Sequence, residues 1–202
     1  ATGERPGVWA TAGTPSALAP SEGATATRGN DISSRGDVAG VATLAAGRQP
    51  VLWLRGQPPR TLDLIGGDTN GEAVTVNARG EAVGYSGDAS GMSRQAVVWA
   101  SNGEATALGS LAGGRSSEAL GSNDAGAVVG ASGGHAFLWT REGGMQDLND
   151  LVAPSRLVLT RATGINDAGA IVVLGHEGAV GHDAHAGHTS PVRVFLLQPA
   201  RP

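Results

Sequence analysis

The stretch Gly121-Ser-Asn-Asp-Ala-Gly126-Ala-Val-Val-Gly130 decides the fold, because the chain contains four versions of it. The other versions occupy residues 31–40, 75–84 and 164–173. The glycines at their sixth position are separated by 44, 46 and 43 residues; they are Gly36, Gly80, Gly126 and Gly169. A regular period of this length is typical of an array of similar structural units. We therefore expect about four copies of one unit of roughly 45 residues.

Two further elements recur with the same period. Two apolar residues followed by Trp occur at 51–53, 97–99 and 137–139, and related pieces occur at 8–9 and 195–197. A third element centred on Leu follows at 62–64, 107–109 and 147–148. Three coincident periods make chance a poor explanation for the repetition.

Each unit is predicted to contain four short strands and almost no helix. Asn, Asp and Gly between two apolar runs predict a tight hairpin, because Gly adopts positive φ without strain. The Val-Val-Gly element is the second strand, the Trp element the third and the Leu element the fourth. Runs such as Ala96-Val-Val-Trp99 are apolar at consecutive positions, which indicates strands covered on both faces.

The predicted architecture is all-β: a β-propeller of about four to five four-stranded blades, in which neighbouring blades cover each sheet. A single repeat domain, 1–202, holds units at about 21–67, 68–114, 115–152 and 153–202, with a partial unit at 1–20. The competing architectures are a solenoid, whose coils are usually shorter than this unit, and a β-sandwich, which does not need regular repetition. The strand order fits either a small propeller closed by its termini or part of a longer one.

These elements resemble the HAF family of bacterial extracellular repeat proteins. The repeat of that family has a G-I-N-D-x-G turn, an H-A-F-L-W strand and a D-L-G tail. Here Gly164-Ile-Asn-Asp-Ala-Gly169 and His135-Ala-Phe-Leu-Trp139 match it, whereas the first repeat has Ser33 in place of the Asn. The resemblance implies a bacterial protein that is extracellular or on the cell surface. It implies no catalytic activity, because the family carries no catalytic motif to transfer.

Composition excludes several classes of protein. The formal net charge is −4, and the 14 basic residues, all Arg, are scattered, so a nucleic-acid partner is not expected. No apolar stretch reaches the roughly 18 residues of a membrane span. The absence of Cys excludes disulfides and thiolate chemistry. The chain begins at Ala1 without a start Met, which indicates a mature form or an excised fragment.

Most chemical motifs have structural explanations. The four Trp residues, one per repeat position, are expected in the core rather than on a ligand platform. Ser132 lies in a G-x-S-x-G pattern, but between predicted strands rather than in the strand-to-helix turn of a hydrolase. The Asn-Asp turns offer too few carboxylates for calcium. Glu72, Glu118 and Asp68 are the acids that a glycosidase-type site would use. No catalytic residue and no cofactor-binding residue is predicted.

A His-rich insertion in the fourth repeat is the candidate metal site. It contains His176, His182, His185 and His188, with Asp183 as a further ligand. His-x-x-His-x-x-His places three imidazoles in a short segment, and imidazole suits divalent transition metals such as zinc, nickel and copper. The alternative interpretation is a solvent-exposed, low-complexity segment in which the His content is incidental.

The ligand-binding face is predicted at the end of the units where the linkers lie beside the connections between second and third strands. Its candidate residues are Asp68, Asp88, Arg94 and Arg115. Loops on a rigid scaffold commonly carry function. The leading hypothesis is a non-catalytic binding or scaffold module for an extracellular protein or polysaccharide. The alternatives are a metal-dependent hydrolase or lyase that uses the His-rich loop, and a purely structural part of a larger surface protein.

Overall fold

The computed structural model describes residues 7–9, 15–112, 114–153, 155–178 and 191–199. The strands in these ranges are β1 (Gly7–Trp9), β2 (Pro15–Ala17), β3 (Ala26–Ile32), β4 (Val38–Leu44), β5 (Gly47–Trp53), β6 (Arg60–Thr61), β7 (Asn70–Val76), β8 (Ala82–Gly87), β9 (Arg94–Trp99), β10 (Ala105–Gly109), β11 (Ser117–Ser122), β12 (Val128–Ser132), β13 (His135–Thr140), β14 (Gly144–Asp147), β15 (Leu157–Ile165), β16 (Ile171–Glu177) and β17 (Arg193–Leu197). One short helix, α1 (Leu148–Leu151), follows β14. The predicted all-β class with almost no helix is confirmed.

The strands form four consecutive antiparallel sheets in which each strand pairs with the next along the chain. Sheet 1 is β3–β6, sheet 2 is β7–β10, sheet 3 is β11–β14 and sheet 4 is β15–β17. Strands β1 and β2 form a separate two-stranded ribbon. The register repeats between sheets: Val38 opposes Trp53, Ala82 opposes Trp99 and Val128 opposes Trp139. Because of this recurrence, a position in one sheet has a defined equivalent in the others.

The predicted hairpin turns are confirmed by backbone geometry. Gly36, Gly80, Gly126 and Gly169 have φ values of +86°, +74°, +84° and +77°. Only glycine adopts this left-handed region without strain. In the second turn, for example, the Gly80 N–H donates to the Asn77 carbonyl at 3.0 Å.

The Leu element departs from the prediction that it forms a fourth strand in every unit. Strand β6 ends at Thr61, and the Leu62 side chain beyond it is fully buried among the core residues of sheets 1 and 2. Strand β14 ends at Asp147, whose carboxylate accepts from the Asn149 N–H at 2.9 Å and caps α1. Strand pairing therefore stops early at both places, because Leu62 is buried in the core and Asp147 caps the helix.

Consecutive sheets pack face to face. The first strand of sheets 2, 3 and 4 lies against the preceding sheet, and the first strands of neighbouring sheets contact each other. Among the described residues, extensive contacts between sheets join only sheets that are consecutive in the chain. The observed architecture is therefore a series of four stacked antiparallel sheets.

The Trp rings contribute to the core where the structure describes them, Trp99 at a contact between two sheets and Trp53 against the segment that precedes sheet 1. Trp99 is fully buried between sheets 1 and 2, and its Nε1–H donates to the Asp63 carbonyl at 2.6 Å. Trp53 is also buried, and it donates to the Ala19 carbonyl at 2.7 Å. Trp139 is only half-buried, at the edge of the apolar core between sheets 2 and 3. The core role is confirmed for Trp53 and Trp99, and the Trp9 side chain lies outside the described residues.

The Asn-Asp turns also join one sheet to the next. The Asn77 side-chain amide donates to the Asn123 carbonyl at 3.2 Å, and the Asn123 amide donates to the Asn166 carbonyl at 3.1 Å. Backbone N–H groups of the same turns donate in the same direction, to carboxylates of the next sheet: Asp124 accepts from the Ala78 N–H at 2.7 Å, and Asp167 accepts from the Asp124 N–H at 2.8 Å. We call these contacts the Asn-Asp staples. The sequence motif thus serves both the hairpin and the stacking.

Candidate ligand-binding face

The two ends of the sheets differ in what they carry. The Asn-Asp staples lie at the end formed by the first hairpin of each sheet, which we call the turn end. The linkers between sheets lie at the opposite end, beside the connections from second to third strands, which we call the linker end. There the Thr69 N–H donates to the Gly87 carbonyl at 3.1 Å, and the Gly133 N–H donates to the Ser116 carbonyl at 3.2 Å.

Three of the four predicted ligand residues come together at the linker end. Asp68, Arg94 and Arg115 line one cavity of about 220 Å³ between sheets 2 and 3. The Asp68 carboxylate accepts from the Ser86 hydroxyl at 2.7 Å, which ties the linker to sheet 2. Ligand binding by these residues stays a prediction.

Asp88, the fourth residue, lies outside that cavity in the adjacent connection between β8 and β9. Its carboxylate accepts from the Ser90 hydroxyl at 2.7 Å. This hydrogen bond, with smaller contributions from the backbone N–H groups of residues 90, 91 and 93, lowers the pKa of Asp88 below its usual value. Asp88 therefore organises its own loop.

A second cavity of about 480 Å³ at this end is lined by two arginines and one glutamate. We call it the arginine cleft; its lining residues are Gly91, Met92, Arg94, Ser116, Ser117, Glu118, Ala131, Ser132, Gly133, Gly134, Thr160 and Arg161. Glu118 accepts from Arg94 at 3.3 Å and also from Arg161. The Arg94 guanidinium stacks over the Tyr85 ring at 4.4 Å, a cation–π contact that fixes its position.

The same charge pattern occurs one interface earlier, but there it is saturated. Glu72, equivalent to Glu118, accepts from Arg28 and Arg48, and also from the Asn30 amide at 2.9 Å and the Tyr85 hydroxyl at 3.4 Å. Burial, followed by the neighbouring Glu72 carboxylate, raises the pKa of Tyr85 despite Arg48 and Arg94, so its hydroxyl remains a donor. This cluster is complete within the protein.

The sequence prediction named Arg94 but missed Arg28 and Arg161, for which a signal was available. Arg28, Glu72, Glu118 and Arg161 occupy equivalent positions of the four first strands, at the same spacings of 44, 46 and 43 residues as the turn glycines. Comparing one position across the repeats would have paired opposite charges on neighbouring sheets. The structure also shows that Glu72 and Glu118, considered as glycosidase acids, are each neutralised by two guanidinium groups.

A third cavity, of about 590 Å³, brings Ser132, His135 and Asp147 together. The His135 Nδ1–H donates to the Asp147 carboxylate at 2.5 Å. Burial raises the pKa of Asp147, but hydrogen bonds from His135 and Asn149 outweigh burial and lower it overall. Sequence reasoning found no spacing that would gather these three residues. The pairing of β12 with β13 places Ser132 opposite His135, and the pairing of β13 with β14 brings Asp147 alongside.

Ser132 nevertheless has a structural role in this cavity. Its buried hydroxyl donates to the Ser116 carbonyl at 3.2 Å and accepts from the Leu111 N–H at 3.0 Å. Ser86, its equivalent in sheet 2, accepts from the Ile65 N–H at 2.9 Å in the same way. Because the Ser132 hydroxyl proton is directed at a carbonyl, it makes no nucleophile–base hydrogen bond to His135.

Only one residue of the proposed metal site belongs to the described ranges. His176 is partly exposed at the end of β16, with its Nδ1 3.1 Å from the Glu177 carbonyl. His182, His185, His188 and Asp183 lie outside the described residues. Within the described ranges, no three His, Asp or Glu side chains cluster as metal ligands would. Metal binding by the His-rich segment stays a prediction.

Comparisons with known proteins add no family assignment. The sequence matches no protein-family model, and no curated protein matches it significantly. In the described part of the chain, no helix has the length and apolar character that crossing a membrane requires.

Proposed function

We propose that this chain is a non-catalytic, extracellular binding module of the β-propeller type, and that its arginine cleft binds an acidic peptide segment of a partner protein. The observation that carries the proposal is the open Arg94–Glu118–Arg161 cluster beside a saturated counterpart. The resemblance to the HAF repeat supports the bacterial, extracellular location. The stacked sheets, three of four strands and one of three, with first strands in mutual contact, support the propeller.

The cleft has donors to spare for a negatively charged ligand. Each guanidinium carries five N–H donors, and in the cleft each makes one direct hydrogen bond, to Glu118. The Nε of Arg94 is buried without a hydrogen-bond partner in the described part of the chain. Two positive charges and one negative charge leave the cluster net positive. A carboxylate that bridges the two arginines would form charge-assisted, bidentate hydrogen bonds.

The other lining residues favour a peptide over a sugar. Met92 is 85% exposed at the rim, and a flexible thioether side chain adapts to varied apolar partners. The lining residues within the described ranges include no aromatic ring on which a sugar could stack. The hydroxyl groups of Ser116 and Thr160 add neutral hydrogen-bonding groups. We therefore expect a carboxylate beside an apolar residue as the recognised feature.

Fluorescence anisotropy with labelled peptides tests this proposal. The probe peptides contain Glu or Asp next to Leu, with amidated C-termini; matched peptides carry Gln or Asn instead, and a third set offers only a free C-terminal carboxylate. We expect saturable binding of the acidic peptides and at least about tenfold weaker binding of their amide counterparts. Oligouronates serve as competitors, because they present carboxylates on a sugar.

Arg161→Gln and Arg28→Gln form the matched pair of variants. Both remove one arginine from a two-arginine cluster at the same position of the repeat, but only Arg161 lines the cleft. We expect Arg161→Gln to weaken peptide binding at least about tenfold and Arg28→Gln to leave it unchanged. Equal loss in both variants, absence of peptide binding, or preference for oligouronates would each contradict the proposal.

A metal-dependent hydrolase or lyase is the second candidate function. The sequence observation that favours it is the His-x-x-His-x-x-His pattern at 182–188. Calorimetric titration with zinc near pH 7.5 tests it, using a His182→Ala, His185→Ala double variant as the control. Binding that the double variant abolishes supports a metal site, and no binding at about 100 µM zinc contradicts it.

A further inference from the structure

The outer face of sheet 4 concentrates exposed apolar side chains. Val172, Val192, Val194 and Leu196 are 40%, 64%, 68% and 60% exposed. They are four of the seven large apolar side chains that are exposed in the described part of the chain. Val172 and Leu196 are direct cross-strand partners on β16 and β17, and Val192 and Val194 continue the same alternation. We call these four residues the sheet 4 patch.

The same positions are covered in the other three sheets. Val172 and Leu196 are equivalent to Val129 and Leu138 of sheet 3, which form the same cross-strand pair. Val129 is fully buried, and Leu138 packs against the core cluster that sheet 4 completes. Further equivalents, in sheets 1 and 2, are Ala39 with Leu52 and Val83 with Val98. The patch therefore has the composition of a surface that receives another sheet.

The turn end of sheet 4 independently has a side chain that lacks the inter-sheet contact made by its equivalents. Asn77 and Asn123 are buried, and their side-chain amides donate to the next sheet. Asn166, their equivalent, keeps its internal turn contact, in which the Ala170 N–H donates to its side-chain oxygen at 2.9 Å, but the residue is exposed. Both the apolar and the hydrogen-bonding parts of a sheet-to-sheet interface are thus presented to solvent.

We propose that the sheet 4 patch is an interaction surface, and that its occupant is the same patch of a second copy of this chain. A head-to-tail arrangement would instead require the opposite face of sheet 1. That face is covered by its own chain: Val51 and Trp53 are buried, Leu18 and Ala24 pack on them, and the Trp53 Nε1–H bonds to the Ala19 carbonyl. Among the exposed apolar side chains of the described residues, the matching surface is the patch itself, which gives a two-fold symmetric pair.

Sedimentation velocity on the full chain between about 5 and 300 µM tests the proposal, because self-association depends on protein concentration. We expect a monomer–dimer equilibrium. The triple variant Val172→Thr, Val194→Thr, Leu196→Thr keeps strand propensity but removes apolar surface, and it should weaken dimerisation at least about tenfold. Ile32→Thr, at a residue 58% exposed in sheet 1, is the matched control and should leave dimerisation unchanged.

Hydrogen–deuterium exchange of the unmodified chain keeps the test independent of how the variants fold. Raising the protein concentration should slow exchange in β17 and β16 and leave β3 unaffected. A monomer at every concentration, or a dimer that the triple variant does not weaken while β17 exchange is independent of concentration, overturns the proposal. Neither result bears on the peptide-binding proposal, because the patch and the arginine cleft share no residue.

Discussion

At the scale of single residues, one close backbone approach explains the glycine that ends the Val-Val-Gly element. A Cβ built on Gly84 would lie 1.9 Å from the Glu72 carbonyl oxygen, and the same atom on Gly40 or Gly130 would lie 2.0 Å from a carbonyl oxygen. Each approach lies beside a β-bulge in the first strand, such as the one between Ala73 and Thr75. Glycine at this position therefore permits the close approach in sheets 1 to 3, whereas sheet 4 has Val173 there and a second register shift, between Leu159 and Arg161.

Gly84→Ala should destabilise the protein by about 2–3 kcal/mol, because strand β7 or β8 must shift to admit the methyl group. Urea unfolding followed by Trp fluorescence measures the change. Gly164→Ala is the control: it lies in a strand, its added Cβ meets nothing within 4 Å, and its φ is not positive. The contact explanation fails if the two substitutions cost the same.

The hydrogen bond between His135 and Asp147 makes stability depend on pH. The pKa of Asp147 is lowered in the folded state, so its contribution is fully present above the unfolded-state pKa of about 3.9 and is lost as pH falls through the folded-state pKa. We expect Asp147→Asn to be less stable than the unmodified protein at pH 7, with the difference shrinking below about pH 4. Urea titrations at several pH values measure it; a difference that is constant with pH would contradict the assignment.

At the scale of elements, the Asn-Asp staples allow the role of Asn in the hairpin turn to be distinguished from its role in sheet stacking. Asn123 and Asn166 make the same internal turn bond, to the N–H four residues on, at 3.0 and 2.9 Å. Only Asn123 also donates to the next sheet. The difference between the two alanine variants thus isolates the contribution of one inter-sheet hydrogen bond.

Asn123→Ala should cost about 1–2 kcal/mol more than Asn166→Ala, since it removes a bond from a buried amide. Chemical denaturation of both variants measures the difference. Equal costs would mean that the motif serves only the hairpin.

The sequence predicts the hairpins well because their chemistry is local. Asn, Asp and Gly at fixed offsets specify the turn whatever surrounds it. The staples could not be predicted in this way, because they depend on which surface of one sheet meets the next. The sequence also did not predict that β14 ends at Asp147, for a similar reason. Asp147 caps a helical turn and accepts a hydrogen bond from His135, and the Leu pattern indicates neither partner.

The candidate site was predicted only in part. Placing Asp68, Arg94 and Arg115 at one end followed from strand alternation, and the structure gathers these three in one cavity. Arg161 was missed, since it is distant in the sequence and reaches Glu118 only across the interface between sheets 3 and 4.

At the scale of the whole molecule, the two ends of the stack differ in how regular their contacts between sheets are. The turn end repeats the same staples between sheets 2 and 3 and between sheets 3 and 4. The linker end varies: the Glu72 cluster is saturated, whereas the Glu118 cluster opens into a cavity of about 480 Å³. Repetition thus supplies a rigid frame, and departure from repetition supplies the proposed binding surface. The net charge of −4 is that of the whole chain, and the arginine cleft is a local positive site within it.

The most direct test of this account is to locate a bound acidic peptide by NMR. Titration of isotope-labelled protein should shift the side-chain Nε–Hε signals of Arg94 and Arg161 and the backbone amides of Met92 and Gly134, which line the cleft. Signals at the turn end, such as Gly80 and Ser101, should stay in place. Saturable shifts confined to the cleft are the predicted result. Two results would contradict the account: shifts centred at the turn end, or no shifts when the peptide concentration is about tenfold above the dissociation constant measured by anisotropy.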